Sequence, residues 1–204
     1  EKIKAILSKK ISNFSTIEIA GNGFLNIKLS KNALIKNINS ILEINESYGS
    51  KKSSKTYNIE FVSANPTGPM HVGHCRGAIY GDVLSNLLKF NGNKVTKEYY
   101  INDYGNQIKN FVESVFFRIQ EIKYKKKFPN KENLYPGLYI KDIASKIILE
   151  DINIEFNDLE KNFELLKEKS LSESMHLIKN DLKELGITHD NFFSETEIVK
   201  KDLV

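Results

Sequence analysis

The sequence predicts an α/β chain: a parallel sheet with helices around it, preceded by part of a small α+β unit. Two observations carry this. Twice, an alternating run rich in β-branched and aromatic residues leads through a polar loop into a helix with its apolar residues on one face. The runs are Thr56 to Val62, followed by a helix from His71, and Lys94 to Ile101, followed by a helix from about Ile108. Strand, crossover helix, strand, helix is the repeating unit of a doubly wound sheet, and such sheets bind ligands where loops leave the carboxyl ends of strands. Second, the polar, small run Gly49-Ser50-Lys51-Lys52-Ser53-Ser54-Lys55 reads as a linker and separates the first fifty residues from the rest. The domains expected are 1–50 and 56–204.

Taken in order, Glu1 to Lys9 reads as the end of a helix, and Thr16 to Ala20 and Phe24 to Leu29 as strands joined by a Gly21-Asn22-Gly23 hairpin turn. A helix from Lys31 to Glu46 is expected to turn Leu34, Ile35, Ile38, Ile41 and Leu42 inward. After the Thr56 strand, Pro66 and Pro69 each remove a backbone donor and hold the residue before them extended, giving a stiff, open loop. From His71 the apolar positions Ile79, Val83, Leu84, Leu87 and Leu88 share a helix face, and Asn91-Gly92-Asn93 ends the run. The next helix is expected to bury Ile108, Phe111, Val112, Val115, Phe116 and Ile119. Lys123 to Lys131 reads as exposed loop, Tyr139 to Leu149 and Asn157 to Leu185 as helices, and Gly186 as a cap before a strand from Ile187 to Phe193.

Composition bounds the function classes. A chain of 204 residues, 40% hydrophobic, buries one medium core and a smaller unit. One cysteine excludes a disulfide framework and suits a reducing compartment. No apolar run reaches membrane length and no leading segment has a signal-peptide layout, so the expectation is a soluble, cytoplasmic protein with no membrane partner. A net charge of +4 tolerates an RNA partner without requiring one. With Glu rather than Met at position 1, the chain reads as a piece of something longer.

The chemistry concentrates at His71-Val72-Gly73-His74. Unpaired N–H groups and the positive end of a helix dipole attract anions at such a helix start. Gly73 lets a base or phosphate approach the backbone, and two imidazoles supply donors that can follow charge developing on phosphate oxygens. A metal site is not expected, because Cys75 points elsewhere on the helix and no third ligand has zinc spacing.

The run Ile59-Glu60-Phe61-Val62-Ser63-Ala64-Asn65-Pro66-Thr67-Gly68-Pro69-Met70-His71-Val72-Gly73-His74-Cys75-Arg76-Gly77-Ala78 closely resembles the signature of arginyl-tRNA synthetases, of the class I aminoacyl-tRNA synthetases. Asn102 to Gln107 resembles the loop after that family's second strand, and Tyr135-Pro136-Gly137-Leu138-Tyr139-Ile140 its tyrosine-glycine insert. Leu185-Gly186-Ile187 through Phe193-Ser194-Glu195 resembles a later core segment, and Gly23-Phe24-Leu25-Asn26 the end of the added domain that contacts the tRNA elbow. The resemblance implies the first half of a Rossmann-type catalytic domain with a helical insertion, from an arginine–tRNA ligase that joins arginine to ATP and passes it to tRNA(Arg). It implies ATP as substrate, with Mg2+ on its phosphates, and a monomer.

Residue by residue, the resemblance implies that His71, Gly73 and His74 bind ATP, with the two histidines steadying the α-phosphate during attack by the arginine carboxylate. Glu60 matches the carboxylate that pairs with the substrate guanidinium, a group that asks for a planar, two-oxygen partner. Ser63 and Asn65 match the holders of the substrate amino and carboxylate groups, and Asp103 and Gln107 match polar positions of the second loop near the arginine. Asp103 also stands where a helix cap would. Phe24 and Asn26 are candidates for the tRNA surface, set against an ordinary core phenylalanine in a hairpin. The family's lysine-bearing mobile loop is expected downstream of the histidines; Lys28-Leu29-Ser30-Lys31 lies on the wrong side and reads as coincidence. The fragment alone is therefore expected not to turn over. Two alternatives stay open: a smaller nucleotidyltransferase with the same histidine turn, and a non-enzymatic RNA-binding module derived from a synthetase.

Overall fold

Parallel strands cannot be joined by a tight turn, so each neighbouring pair in a parallel sheet demands a crossover. In the computed structural model, which describes residues 1–10, 12–151 and 153–202, the crossovers are helices. Strand β3 (Thr56–Glu60), helix α3 (Val72–Phe90) and strand β4 (Lys94–Ile101) form the first parallel pair. Three helices, α4 (Asn106–Tyr124), α5 (Leu138–Glu150) and α6 (Leu159–Glu184), then intervene before β5 (Asn191–Ser194) pairs with β4, again parallel. The sheet order is β3-β4-β5. The predicted α/β class and its helical insertion are thus both present. Helix α7 (Glu195–Lys200) follows β5 directly.

The chain divides into two units, Glu1–Lys51 and Lys52–Val204, with the division inside the polar run from Gly49 to Lys55. Positions 203 and 204 of the expected second domain lie outside the described residues. The first unit contains α1 (Lys2–Lys10), an antiparallel hairpin of β1 (Phe14–Ala20) and β2 (Phe24–Leu29), and α2 (Lys31–Ile44) running into a short 3-10 turn, Asn45–Ser47. Gly21 and Gly23 have φ values of 51° and 94°, the left-handed backbone that the hairpin turn requires. The Ser30 hydroxyl caps α2 by accepting from the Ala33 N–H at 3.2 Å. The expectation that Leu34, Ile35, Ile38, Ile41 and Leu42 turn inward does not hold, since each is exposed. Their helical spacing is real, but among the described residues of this unit the two-stranded hairpin does not cover that face.

Two apolar clusters organise the second unit. One is purely helical: α4 contributes Ile108, Phe111, Val112, Val115, Phe116 and Ile119, all buried as predicted, and they pack with Ile140, Ile143, Ala144 and Ile147 of α5 and Leu166 of α6. The other lies at the sheet, where Phe61 and Tyr99 meet Ala78 of α3 and Met175, Ile178 and Leu182 of α6. The apolar stripe of α3 is not the face that packs on the sheet. Ile79, Val83, Leu84 and Leu87 are exposed, and the buried positions are Ala78, Gly81 and Ser85. The reason is close approach. A Cβ on Gly81 would stand 2.2 Å from Cγ of Phe61, so only a small-residue face lets the helix lie against the end of β3.

Polar groups add a second tie. The Lys97 ammonium, on a residue only 7% exposed, donates to Asp82 at 2.6 Å and Asn86 at 3.1 Å, joining β4 to α3. A buried charge of this kind is tolerable only when paired and hydrogen-bonded. The predicted strand from Ile187 begins four residues late, at Asn191. Gly186, with φ of 71°, still belongs to the end of α6, and the Ile187 N–H returns to the Leu182 carbonyl at 2.9 Å, so the chain is capping a helix before it can extend.

Candidate active site at the strand ends

The loop from Phe61 to His71 leaves the carboxyl end of β3 through strained backbone. Val62 and Ser63 have φ values of 70° and 40°, and the Ser63 N–H closes a three-residue turn on the Phe61 carbonyl at 3.0 Å. A β-branched residue there costs of order 1–3 kcal/mol and persists only where its surroundings hold it. The strand consequently stops at Glu60 rather than at the predicted Val62.

Partners distant in sequence supply that hold. The Ser63 hydroxyl donates to the Glu60 carboxylate and accepts from the Tyr100 N–H at 3.0 Å. The fully buried Tyr99 donates its hydroxyl to the Ala64 carbonyl at 2.8 Å, and burial pushes its pKa up, so it stays a donor. Asn65 Nδ2 donates to Gln107 Oε1 at 2.7 Å. The Tyr139 hydroxyl donates to the Thr67 carbonyl at 2.9 Å, and the Met70 N–H donates to Asp181 Oδ2 at 2.8 Å.

At the end of this loop His71 is the N-cap of α3. Its Nδ1 accepts from the Gly73 N–H at 3.1 Å, and His74 Nδ1 accepts from the His71 N–H at 3.3 Å, a reciprocal box made by two imidazoles. The rings stack with centroids 3.7 Å apart and planes within 18°. Because both Nδ1 atoms accept, Nε2 is the donor nitrogen of each ring. Burial, and next the charge of His71, lowers the His74 pKa, so it remains neutral near pH 7. Gly73 matters sterically as well. A Cβ there would come within 2.9 Å of the His71 ring.

A cleft of about 410 Å³ opens beside this turn, bounded by Asn65, His71, His74, Gln107, Tyr135 and Tyr139 among others. Four sequence candidates, from the loop after β3 and the first turns of α3 and α4, therefore meet in one cavity. Glu60 and Ser63 form a separate bonded pair at the strand exit, and Glu60 is exposed. Asp103 is committed elsewhere. Its oxygens accept from the Ser194 hydroxyl at 2.6 Å and the Thr196 N–H at 2.7 Å, so it fastens the second loop to β5 and α7, and the helix it caps is α7 rather than α4. Phe24, 72% exposed, and Asn26 lie in the first unit on β2. Among the described residues no three His, Cys, Asp or Glu side chains group as a metal site.

Sequence reasoning did not place Tyr135, Tyr139 or Asp181 at the site. The Tyr-Pro-Gly-x-Tyr pattern signalled the first two; nothing in a solvated aspartate on a long helix signals the third.

Residues 37–137 match the family description "tRNA synthetases class I (R), catalytic domain". An arginine–tRNA ligase of Pelagibacter ubique is 50% identical over 200 residues, covering 95% of this chain and 34% of that protein. The chain is homologous to arginine–tRNA ligases. One from Bartonella henselae is 46% identical over 198 residues, with 96% of this chain and 34% of that protein covered. A crystal structure from Campylobacter jejuni carrying the arginyl-tRNA synthetase name aligns at a TM-score of 0.73 and 35% identity, over 83% of this chain and 38% of that one. The arginyl-tRNA synthetase of Plasmodium falciparum, 22% identical, shares the fold at a TM-score of 0.58 over 99% of this chain and 37% of its own. The chain thus spans about a third of the length of the curated relatives it matches.

Proposed function

We propose that this chain is a fragment of an arginine–tRNA ligase, the end of its tRNA-elbow domain and the first part of its catalytic domain, whose whole protein activates arginine with ATP and transfers it to tRNA(Arg). The observation that carries the reading is the convergence of His71, His74, Asn65 and Gln107 on one cleft at the strand ends, in a chain 50% identical to such a ligase. The cleft suits a nucleotide. Two outward Nε2–H donors and a helix N-terminus face the place where negative charge grows as the arginine carboxylate attacks the α-phosphate. No base or nucleophile on the protein is required, so catalysis is positioning and charge stabilisation. Mg2+ enters with the phosphates of ATP as part of the substrate.

On this reading Gly73 lets the nucleotide approach the backbone, Glu60 receives the guanidinium, and Ser63 orients that carboxylate through their hydrogen bond. Asn65 and Gln107 hold the arginine main-chain groups, while Asp103 keeps the second loop in place beside them. Phe24 and Asn26 belong to the tRNA side of the first unit, and the whole protein works as a cytoplasmic monomer. The test is arginine-dependent exchange of pyrophosphate into ATP by the full native protein with tRNA(Arg) present. Glu60→Gln is expected to raise the KM for arginine about tenfold or more and leave that for ATP unchanged. Equal KM values for arginine in the two proteins would remove Glu60 from the site. Residues 1–204 alone are expected to charge no tRNA; detectable charging would overturn the view that the site is completed elsewhere in the protein.

A further inference from the structure

We infer that the helical insertion is a two-point clamp on the loop that carries the histidine turn, with Tyr139 and Asp181 as its positioning residues. The inference rests on the nucleotide reading of the cleft and deepens it. Tyr139, at the start of α5, does more than donate to the Thr67 carbonyl at 2.9 Å. Its ring fills the space where a Cβ on Gly68 would meet it at 2.8 Å and a Cβ on Gly137 at 2.4 Å. Two glycines, one on each side of the contact, thus admit one aromatic ring. Asp181, near the end of α6, accepts the Met70 N–H at 2.8 Å, three residues further along the loop and one before His71.

Both clamp residues stand on rigid supports. Helix α5 buries Ile140, Ile143, Ala144 and Ile147, and α6 buries Ile178 and Leu182 on either side of Asp181. The loop, by contrast, contains few backbone hydrogen bonds of its own beyond Thr67 N–H to Asn65 O and the first turn of α3. Gln107 and Tyr99 fix its first half through Asn65 and Ala64. The second half, from Thr67 to Met70, is fixed by the insertion. Losing either clamp leaves the imidazoles intact but frees the segment that aims them.

The test uses the full native protein with Tyr139→Phe, which keeps the ring and removes the hydroxyl, and Asp181→Ala, which removes the acceptor. Asp181→Asn retains an acceptor oxygen and serves as the rescue. Amide hydrogen exchange at Thr67, Met70 and His74 is expected to accelerate about three- to tenfold in Tyr139→Phe and Asp181→Ala, with α4 amides unchanged and Asp181→Asn close to wild type. In pyrophosphate exchange the KM for ATP is expected to rise by a similar factor, with that for arginine steady. Wild-type amide exchange across the loop in both variants overturns the clamp, as does acceleration spread equally through α4, which marks a general loss of stability. If the loop amides accelerate as stated but the wild-type protein shows no arginine-dependent exchange with tRNA(Arg) present, the clamp stands and the reading of the cleft as an arginine-activating site falls.

Discussion

Helices α3 and α4 are both nineteen residues long and both follow a parallel strand, yet they meet the protein in opposite ways. Helix α4 buries eight side chains, among them Phe111, Phe116 and Ile119, whereas α3 buries only Ala78, Gly81 and Ser85. Helix α4 is held by hydrophobic area, which acts at many points and depends on no single one. Helix α3 is held by closeness: small residues against Phe61, and the Lys97 to Asp82 ion pair at 2.6 Å. Of the two, the helix that buries less apolar side chain is the one whose N-terminus carries the histidine turn. The difference separates residues that keep the fold from residues that aim the chemistry, and substitutions should separate the same way.

The largest effect is expected in α4. Phe111→Ala should cost about 3–5 kcal/mol, read as a lower denaturant midpoint, because a fully buried ring leaves a cavity its neighbours only partly fill. A loss under about 1 kcal/mol would mean that the helical cluster is not the stabilising half. On the proposed function, His74→Ala in the full native protein should do the reverse, lowering kcat for arginine activation roughly 10²–10³-fold while costing only about 1 kcal/mol of stability for the lost cap. Next comes a matched pair within α3. Gly81→Ala should destabilise by about 1–3 kcal/mol because the new methyl meets Phe61, while Gly77→Ala, where a Cβ meets nothing within 4 Å, should stabilise by about 0.5–1 kcal/mol. Equal effects at the two sites would show that α3 does not depend on close approach.

The smallest effect concerns His189, whose ring lies 4.3 Å from that of Phe61 and beside Tyr99 and Phe192. Burial lowers its pKa, and the Lys97 ammonium acts the same way against the carboxylates of Asp82 and Asp190. The folded protein therefore keeps the ring neutral while the unfolded chain takes up a proton below about pH 6.5. Stability from this group is full above about pH 6.5 and is lost as the pH falls toward the lowered folded value. Chemical denaturation at pH 7.5 and 5.5 should show a smaller loss in His189→Phe than in wild type, and identical losses would exclude His189 as the source.

The periodicity from Ile108 to Ile119 identified α4 and its buried face, since one apolar stripe on a polar helix can satisfy itself only by turning inward. The same argument failed for α2, whose stripe of Leu34, Ile35, Ile38, Ile41 and Leu42 is exposed, and in α3 too the regular stripe of Ile79, Val83, Leu84 and Leu87 is exposed. Periodicity reports that a face is apolar, not which face a neighbour approaches. At the site, the histidines, Asn65 and Gln107 were legible as residue types, whereas the capture of Asp103 by Ser194 and Thr196 was not. A carboxylate ninety residues from its partners carries no local mark of them.

What the sequence determined by itself is local: where strands alternate, where Pro66 and Pro69 forbid regular structure, and where two histidines and a glycine open a helix. Short-range sterics and side-chain spacing suffice for each of these. The course of the loop between them was decided only by tertiary structure. Its strained turn at Val62 and its path past Ala64, Thr67 and Met70 are set by Tyr100, Tyr99, Tyr139 and Asp181, which reach it from 35 to 111 residues away. A backbone with few hydrogen bonds of its own takes the shape that its partners impose, and those partners come together only when the chain has folded.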